Sequence, residues 1–270
     1  MIGVFDSGFG GLTILKEFTI KLPKYDYIYL GDNLRTPYGG RSQEAIYQYT
    51  EQGVDFLFKQ GCELIIIACN SASAKALKQI QQKYLINKFS QDSTKRVLGV
   101  IRPLVEHVVT LTKNNNIGLL ATKSTVSSDA YDVEINKLNT KIKLYKTAAP
   151  LLVPLIEEGW TKRKETRMIL KYYLRELKKE KIDTLILGCT HYPLIYSMIL
   201  EVMGKRIQIP HPGWVVANSL ENYLQRHPEI ETKCKKNSKL TFYTTDYPEK
   251  FNKLGSIFLG KPIKCKKVIL

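Results

Sequence analysis

Long apolar runs are missing from the 270-residue sequence. The longest purely aliphatic stretches, such as Leu64-Ile65-Ile66-Ile67-Ala68, fall far short of the roughly 18 apolar residues a membrane-spanning helix needs, so no membrane partner is expected. A secretory leader is not expected either. Met1-Ile2-Gly3-Val4-Phe5-Asp6 places a carboxylate where such a leader has its apolar core, and no basic segment precedes it. No Cys-x-x-Cys pair occurs. The five cysteines, Cys62, Cys69, Cys189, Cys234 and Cys265, are an odd number in a chain too long to need disulfide staples. That excludes a disulfide scaffold and fits a reducing, cytoplasmic compartment. Neither a full dinucleotide fingerprint nor a Walker lysine is present. Acidic residues are in deficit, with 25 Asp plus Glu against 41 Lys plus Arg, a surplus of 41 − 25 = +16. Such a surplus would suit nucleic acid or an anionic surface, but net charge governs solubility and association rather than fold.

What is present is a globular composition, 44% hydrophobic and 24% charged, which excludes disorder as the dominant state. The length suits one large domain or, more readily, two of moderate size, each able to bury its own core. Six short runs end in small or polar residues and precede segments with helical spacing: Ile2 to Phe5, Tyr27 to Leu30, Leu64 to Ala68, Val97 to Val100, Ile117 to Leu120 and Leu185 to Leu187. Continuous apolarity at strand length predicts strands covered on both faces, and strand-then-helix repetition predicts an α/β fold with mainly parallel sheets. Between Glu165 and Lys179 a helix is expected, with Met168, Ile169, Tyr172, Leu174 and Leu177 as its buried stripe. Domain boundaries are expected in the polar stretch 87–96 and near Gly204 to Pro212. The pattern leaves open whether the chain beyond forms another lobe or returns to the first.

Two segments 120 positions apart share one construction. Leu64 to Ala68 leads into Cys69-Asn70-Ser71, and Thr184 to Gly188 leads into Cys189-Thr190-His191. Each is an aliphatic strand, a small residue, a cysteine and polar followers. Ligands bind outside the carboxyl ends of parallel strands, and a helix opening there offers free N–H groups to an anion. A lone cysteine is usually a small buried hydrophobe, and Cys62, Cys234 and Cys265 keep that reading. Duplication and strand-end placement set Cys69 and Cys189 apart. A zinc site of both cysteines, Asp6 and His191 is an alternative, but no local ligand spacing supports it, and no metal is expected.

The turn Asp6-Ser7-Gly8-Phe9-Gly10-Gly11 supplies a strand-end carboxylate, with Ser7 expected to cap the helix beginning near Leu12. The turn from Gly31 to Gly40 reads either as another anion cradle or as an ordinary surface loop. Two thiols opposed across a cleft suit inversion of a carbon stereocentre, one removing a proton from one face while the other returns a proton to the opposite face. A free cysteine has a pKa of about 8.5, so a thiolate at neutral pH needs a helper, and Asp6 and His191 are the candidates. No cofactor is required if the site itself stabilises the carbanion.

Asp6-Ser7-Gly8-Phe9-Gly10-Gly11, Pro37-Tyr38-Gly39-Gly40, Ala68-Cys69-Asn70-Ser71-Ala72-Ser73 and Gly188-Cys189-Thr190-His191-Tyr192-Pro193 resemble, in order, the signatures of the glutamate racemase family within the aspartate/glutamate racemase superfamily. Pro150 to Gly159, Thr241 to Asp246 and Phe258-Leu259-Gly260 resemble further family segments. His191 matches the glutamate branch, where aspartate-type relatives typically carry Glu. The resemblance implies two pseudo-symmetric α/β lobes, 1–96 plus 208–270 and 97–207, with the active site in the cleft between them. It implies cofactor-independent interconversion of L- and D-glutamate, supplying D-glutamate for peptidoglycan. By motif, Cys69 would act on the proton of D-glutamate and Cys189 on that of L-glutamate, assisted by Asp6 and His191 respectively. Ser7, Tyr38, Gly39, Asn70, Ser71, Thr122, Thr125, Thr190 and His191 would hold the substrate. Asp32 and Glu157 match family acidic positions, against plainer readings as a turn aspartate and a solvated helix-end glutamate. Ser71 stands where Thr is usual, Ala121 where Gly is frequent, and Ala149 where Cys is frequent. A homodimer is compatible with this picture.

Two rivals carry different chemistry. A cysteine hydrolase would use Cys189, His191 and a carboxylate, yet a histidine two residues after its nucleophile is awkward for a triad unless the turn folds back, and Cys69 would stand idle. A nucleic-acid binder would use the basic segment from Lys162 to Lys181 and the tail lysines Lys261, Lys264, Lys266 and Lys267. Interleaved Glu165, Glu176 and Glu180 read more simply as a solvated helix face, so nucleic acid is not the expected partner.

Overall fold

All six aliphatic runs become strands in the computed structural model, which describes residues 1–89 and 94–270. In chain order the strands are β1 (Ile2–Asp6), β2 (Tyr27–Gly31), β3 (Leu64–Ile67), β4 (Arg96–Gly99), β5 (Asn116–Ala121), β6 (Lys143–Ala148), β7 (Thr184–Gly188), β8 (Leu240–Thr244) and β9 (Cys265–Lys267). They form a six-stranded sheet ordered β4-β3-β1-β2-β8-β9 and a three-stranded sheet ordered β6-β5-β7. Every pairing is parallel. Residues of β1, β2, β3 and β7 are buried throughout, which is why their sequences lack the alternation of half-exposed strands. The two-lobe α/β architecture expected from the sequence is the one observed.

Three strands carry no such apolar run. β6 reads Lys-Leu-Tyr-Lys-Thr-Ala and lies at a sheet edge, its residues exposed or half-buried, so its lysines mark an edge rather than a loop. β8 brings the C-terminal chain back beside β2, and the three-residue β9 closes the far edge. Val97-Leu98-Gly99, expected to open the second lobe, pairs instead with β3 as an edge of the first sheet. An apolar run specifies a strand but not its neighbour, and the second sheet begins only at β5. The expected boundary at 87–96 is partly out of view, since residues 90–93 lie outside the described residues.

The helix Lys164–Lys179 forms where expected and buries Leu174 and Leu177 of the expected stripe, but its other buried residues are Thr166 and Leu170, while Ile169 is half-buried. Met168 and Tyr172 are 70% and 66% exposed. The i, i+4, i+8, i+11 spacing of the observed stripe is narrower than the apolar residues alone suggest. Ser7 is not the cap of the helix Leu12–Lys21. Gly11 occupies that position without a side-chain cap. No described helix is long and apolar enough to cross a membrane.

One apolar cluster runs from Ile2, Val4 and Leu15 through Val215 and Leu220 of the helix Pro212–Arg226 to Leu185 and Leu187 of β7. The lobes therefore share a core, and shared close packing holds the strand ends of one sheet against those of the other.

Candidate active site

β1, β3, β5 and β7 end in Asp6, in Ile67 before Ala68-Cys69, in Ala121 before Thr122, and in Gly188 before Cys189. Parallel pairing aligns the carboxyl ends within each sheet, Phe5 opposite Ile67 in one and Ala121 opposite Gly188 in the other. The chemistry-bearing residues thus come together for a topological reason.

On the first lobe, Cys69 is 5% exposed and precedes the short helix Asn70–Lys75. Its thiol donates to the Ser7 hydroxyl at 3.5 Å. Burial, and after it the Asp6 carboxyl, push Cys69 up to about 12, outweighing that bond. The side chain of Asp6 is wholly buried, its Oδ2 accepting the Gly8 amide at 2.9 Å and its Oδ1 the Thr190 hydroxyl at 3.3 Å. Burial raises the Asp6 pKa against the pull of His191 and these bonds.

On the second lobe, the turn does fold back. Cys189 O accepts the Tyr192 amide at 3.2 Å, and His191 O accepts the Leu194 amide at 3.1 Å. This brings His191 Nδ1 to 3.8 Å from Cys189 Sγ, removing the awkwardness expected of the two-residue spacing. His191 Nε2 lies 2.9 Å from Glu157 Oε1, so Glu157 is not a solvated helix-end residue. Burial disfavours the imidazolium, but the bonds to Cys189 and Glu157 prevail and hold His191 up to about 10. The expected duplication of helix starts is incomplete, because Cys189 leads into a 3-10 turn, Tyr192–Ile195, before the helix Tyr196–Met203.

The His191 shift makes stability depend on pH. Its folded pKa of about 10 lies above an unfolded value near 6.5. The stabilisation is therefore complete below pH about 6.5 and is lost as pH rises through about 10. The melting temperature of the wild type should exceed that of His191→Gln by a margin that shrinks across this window. A margin constant from pH 6 to 10 in scanning calorimetry would contradict the assignment.

A layer of hydroxyls and amides crosses the cleft. Ser71 Oγ lies 2.9 Å from Thr122 Oγ1 and 3.4 Å from Thr125 Oγ1, and those two are 3.0 Å apart. Tyr131 donates to Asn70 Oδ1 at 2.7 Å, and the Thr13 hydroxyl donates to Thr190 O at 2.9 Å. The Gly31-to-Gly40 turn is tied down rather than loose. Asp32 is buried and accepts from Arg35 (2.6 Å), Tyr38 (2.5 Å) and Thr245 (2.9 Å). Tyr38 thus commits its hydroxyl to Asp32, while a Cβ on Gly39 would stand 3.0 Å from Thr122 Cβ, closing that turn onto the second lobe. Among the described residues no three His, Cys, Asp or Glu side chains converge as metal ligands would.

Two buried strand-end thiols, each with its own proton partner, sit on two lobes joined by hydrogen bonds across the cleft. The sequence matches the Asp/Glu/Hydantoin racemase family over residues 14–218.

The chain belongs to that family.

Among racemases, it is 36% identical to a glutamate racemase of Geobacter metallireducens over 96% of this chain and 92% of that one. It is 38% identical to glutamate racemase 2 of Caldanaerobacter subterraneus, over 97% and 94%. In three dimensions it resembles a Bacillus anthracis glutamate racemase isoform with a TM-score of 0.90 and 34% identity, covering 100% of this chain and 97% of that one. A Francisella tularensis glutamate racemase solved with D-glutamate gives a TM-score of 0.88 at 36% identity, covering 99% and 97%.

Within this racemase fold some site residues carry no motif. Tyr131 fixes the Asn70 side chain from a helix, Ala130–Leu138, with no distinctive sequence. Thr13 anchors Thr190. Gly10 lies within the Asp6-to-Gly11 signature, but only the structure shows why it must be glycine, for it leaves no room for a side chain. A Cβ there would lie 2.1 Å from Thr190 Oγ1 and 2.6 Å from His191 Nδ1. Of the departures from the family pattern, Ala121 and Ala149 are wholly buried and bonded to each other, Ala149 N to Ala121 O at 2.8 Å.

Proposed function

We propose that this chain interconverts L- and D-glutamate in the cleft between its lobes, with Cys69 and Cys189 as the paired acid and base and without a cofactor. The observation that carries the reading is the pairing of two buried thiols, one from each lobe, with unlike partners: Ser7 and Asp6 beside Cys69, His191 and Glu157 beside Cys189. A thiol pushed up to about 12 is the proton donor of the resting site. An imidazolium beside the other sulfur supplies the positive charge a thiolate requires. That polarity readies Cys189 to take the Cα proton of L-glutamate while Cys69 delivers one to the opposite face, yielding D-glutamate. The reverse reaction starts from the opposite protonation state. Ser7, Asn70, Ser71, Thr122, Thr125 and Thr190, with Tyr38 and Gly39 closing the turn above them, would hold the two carboxylates and stabilise the carbanion by prearranged donors.

D-glutamate made this way would supply peptidoglycan synthesis. Five buried, unbridged cysteines suit a cytoplasmic setting. A homodimer would leave the chemistry unchanged, since one chain furnishes every group named here. The Cys189-His191-Glu157 chain also has the order of a thiol hydrolase triad, but a hydrolase has no use for Cys69.

Incubation with L-glutamate in deuterated water decides the matter. Optical rotation should decay to zero while deuterium enters at Cα, without added metal or nucleotide. Turnover abolished by a chelator, or rotation that persists, would sink the proposal.

A further inference from the structure

We propose that the outward face of the helix Lys164–Lys179 is a docking surface for an anionic phospholipid bilayer, which it touches without crossing. The helix buries Thr166, Leu170, Leu174 and Leu177. At 3.6 residues per turn the positions opposite that stripe are 168, 172, 175 and 179, so Met168 and Tyr172, both well exposed, form the crest of the helix. Lys164, Lys171, Arg175 and Lys178 are exposed and follow the crest on one side. Lys164, Lys171 and Lys178, spaced seven residues apart, have no ion-pair partner among the described residues, whereas Arg167 is spent on Glu201. The carboxylates keep to the other side, where Glu165 and Glu176 lie beyond Tyr172 around the helix and Glu176 pairs with Arg175 and Lys179 at 3.1 and 3.0 Å. Charges interleaved in sequence are thus sorted by the helix into a basic side and an acidic margin. Lys162, Arg163 and Lys181 extend the basic side at both ends, and β6, packed against this helix, opens with exposed Lys143.

Unpaired ammonium groups call for an anionic partner, and the crest decides which one. A single convex helix offers no groove to enclose a nucleic acid strand, and a methionine at its crest has no hydrogen bond to give a phosphate or a base edge. A bilayer interface uses both features of the face. Lipid phosphates meet the lysine and arginine heads, the lysine stems lie along the surface, and Met168 and the Tyr172 ring enter the boundary between headgroups and acyl chains. The contact is peripheral, since no described helix is long and apolar enough to cross a membrane. None of the residues placed in the cleft belongs to this face, so the proposal does not depend on the two-thiol reading.

Co-sedimentation of the full chain with lipid vesicles tests the assignment. Vesicles of phosphatidylcholine mixed with phosphatidylglycerol should bind the wild type, vesicles of phosphatidylcholine alone should not, and added salt should weaken the binding without abolishing it. At about fivefold in affinity per basic residue near an anionic surface, Lys171→Glu combined with Lys178→Glu should weaken binding by at least about 25-fold. Met168→Ser combined with Tyr172→Ser should weaken it by about tenfold and remove the part that survives salt. Lys264→Glu combined with Lys266→Glu makes the same change in net charge on the other lobe and should leave binding within about twofold. All six side chains are exposed, and thermal unfolding like that of the wild type shows that each variant is folded. Failure of the wild type to bind the mixed vesicles overturns the proposal. So do equal losses from the two charge pairs, which reduce the effect to net charge, and an unchanged affinity when Met168 and Tyr172 are replaced. Tighter binding of the wild type to RNA than to these vesicles gives the face to nucleic acid and overturns it as well. Glutamate racemisation in solution should be the same in every variant, and its absence from the wild type would count against the reading of the cleft alone.

Discussion

Cys69→Ala loses glutamate racemisation by about 10²–10⁴-fold, the usual contribution of one positioned acid or base, yet keeps half of the chemistry. On the proposed mechanism Cys189, with His191 Nδ1 at 3.8 Å, would still act on the Cα proton of L-glutamate. It can remove that proton and return one to the same face, but nothing on the other side completes inversion. L-glutamate should therefore exchange its Cα hydrogen for deuterium while its optical rotation holds, and D-glutamate should stay inert. Cys189→Ala should show the mirror pattern, with D-glutamate exchanging. Its exchange should be the slower of the two, because the surviving thiol is the one pushed up to about 12 and must first be deprotonated. Proton NMR of the Cα signal, combined with chiral chromatography, reads exchange and inversion separately. Two variants that each still invert within about tenfold of the wild type would rule out one acid-base group per face.

Gly10→Ala is expected to cost about 100-fold in racemisation, through misplacement of other side chains on the order of an ångström. The added Cβ would stand 2.1 Å from Thr190 Oγ1 and 2.6 to 2.8 Å from His191 Nδ1 and Cε1. Real contacts at those distances do not exist, so the backbone of the turn or the Thr190-His191 pair must move. Either movement stretches the hydrogen bond from Thr190 to Asp6 and the approach of His191 to Cys189. Global stability should fall much less dramatically, by the roughly 1–3 kcal/mol typical of overpacking. Thermal unfolding and steady-state kinetics on the same preparation separate the two effects. Activity within threefold of the wild type would show that the turn gives way freely and that His191 placement is not critical.

Part of the candidate site is legible in the sequence itself. Cys69 and Cys189 stand out because a strand, a small residue and a cysteine are contiguous in sequence, and parallel sheets deliver strand ends to one place. Glu157 is ambiguous there for the opposite reason: its partner His191 is 34 residues away and in another element. Tyr131 gives no signal, since a tyrosine near a helix start carries no sign that Asn70, 61 residues earlier, will accept its hydroxyl. Gly10 reads as ordinary turn chemistry unless the second lobe is placed against it. In the fold, β6 and β9 leave no apolar signature because edge strands need no continuous apolarity, while the run in β4 marks a strand without revealing that it belongs to the first sheet. Met168 and Tyr172 show that an apolar residue on an amphipathic helix can still face water.

Sequence alone determined the α/β class, the buried strands and the duplicated thiol, because these depend on local composition and on periodicities of two and 3.6 residues. Tertiary structure alone decided which strand lies beside which and that the turn after Cys189 returns His191 to the sulfur. It also decided that Glu157 pairs with His191. Those outcomes depend on contacts between residues far apart in the chain, and the energies that select them arise only when the lobes pack against each other.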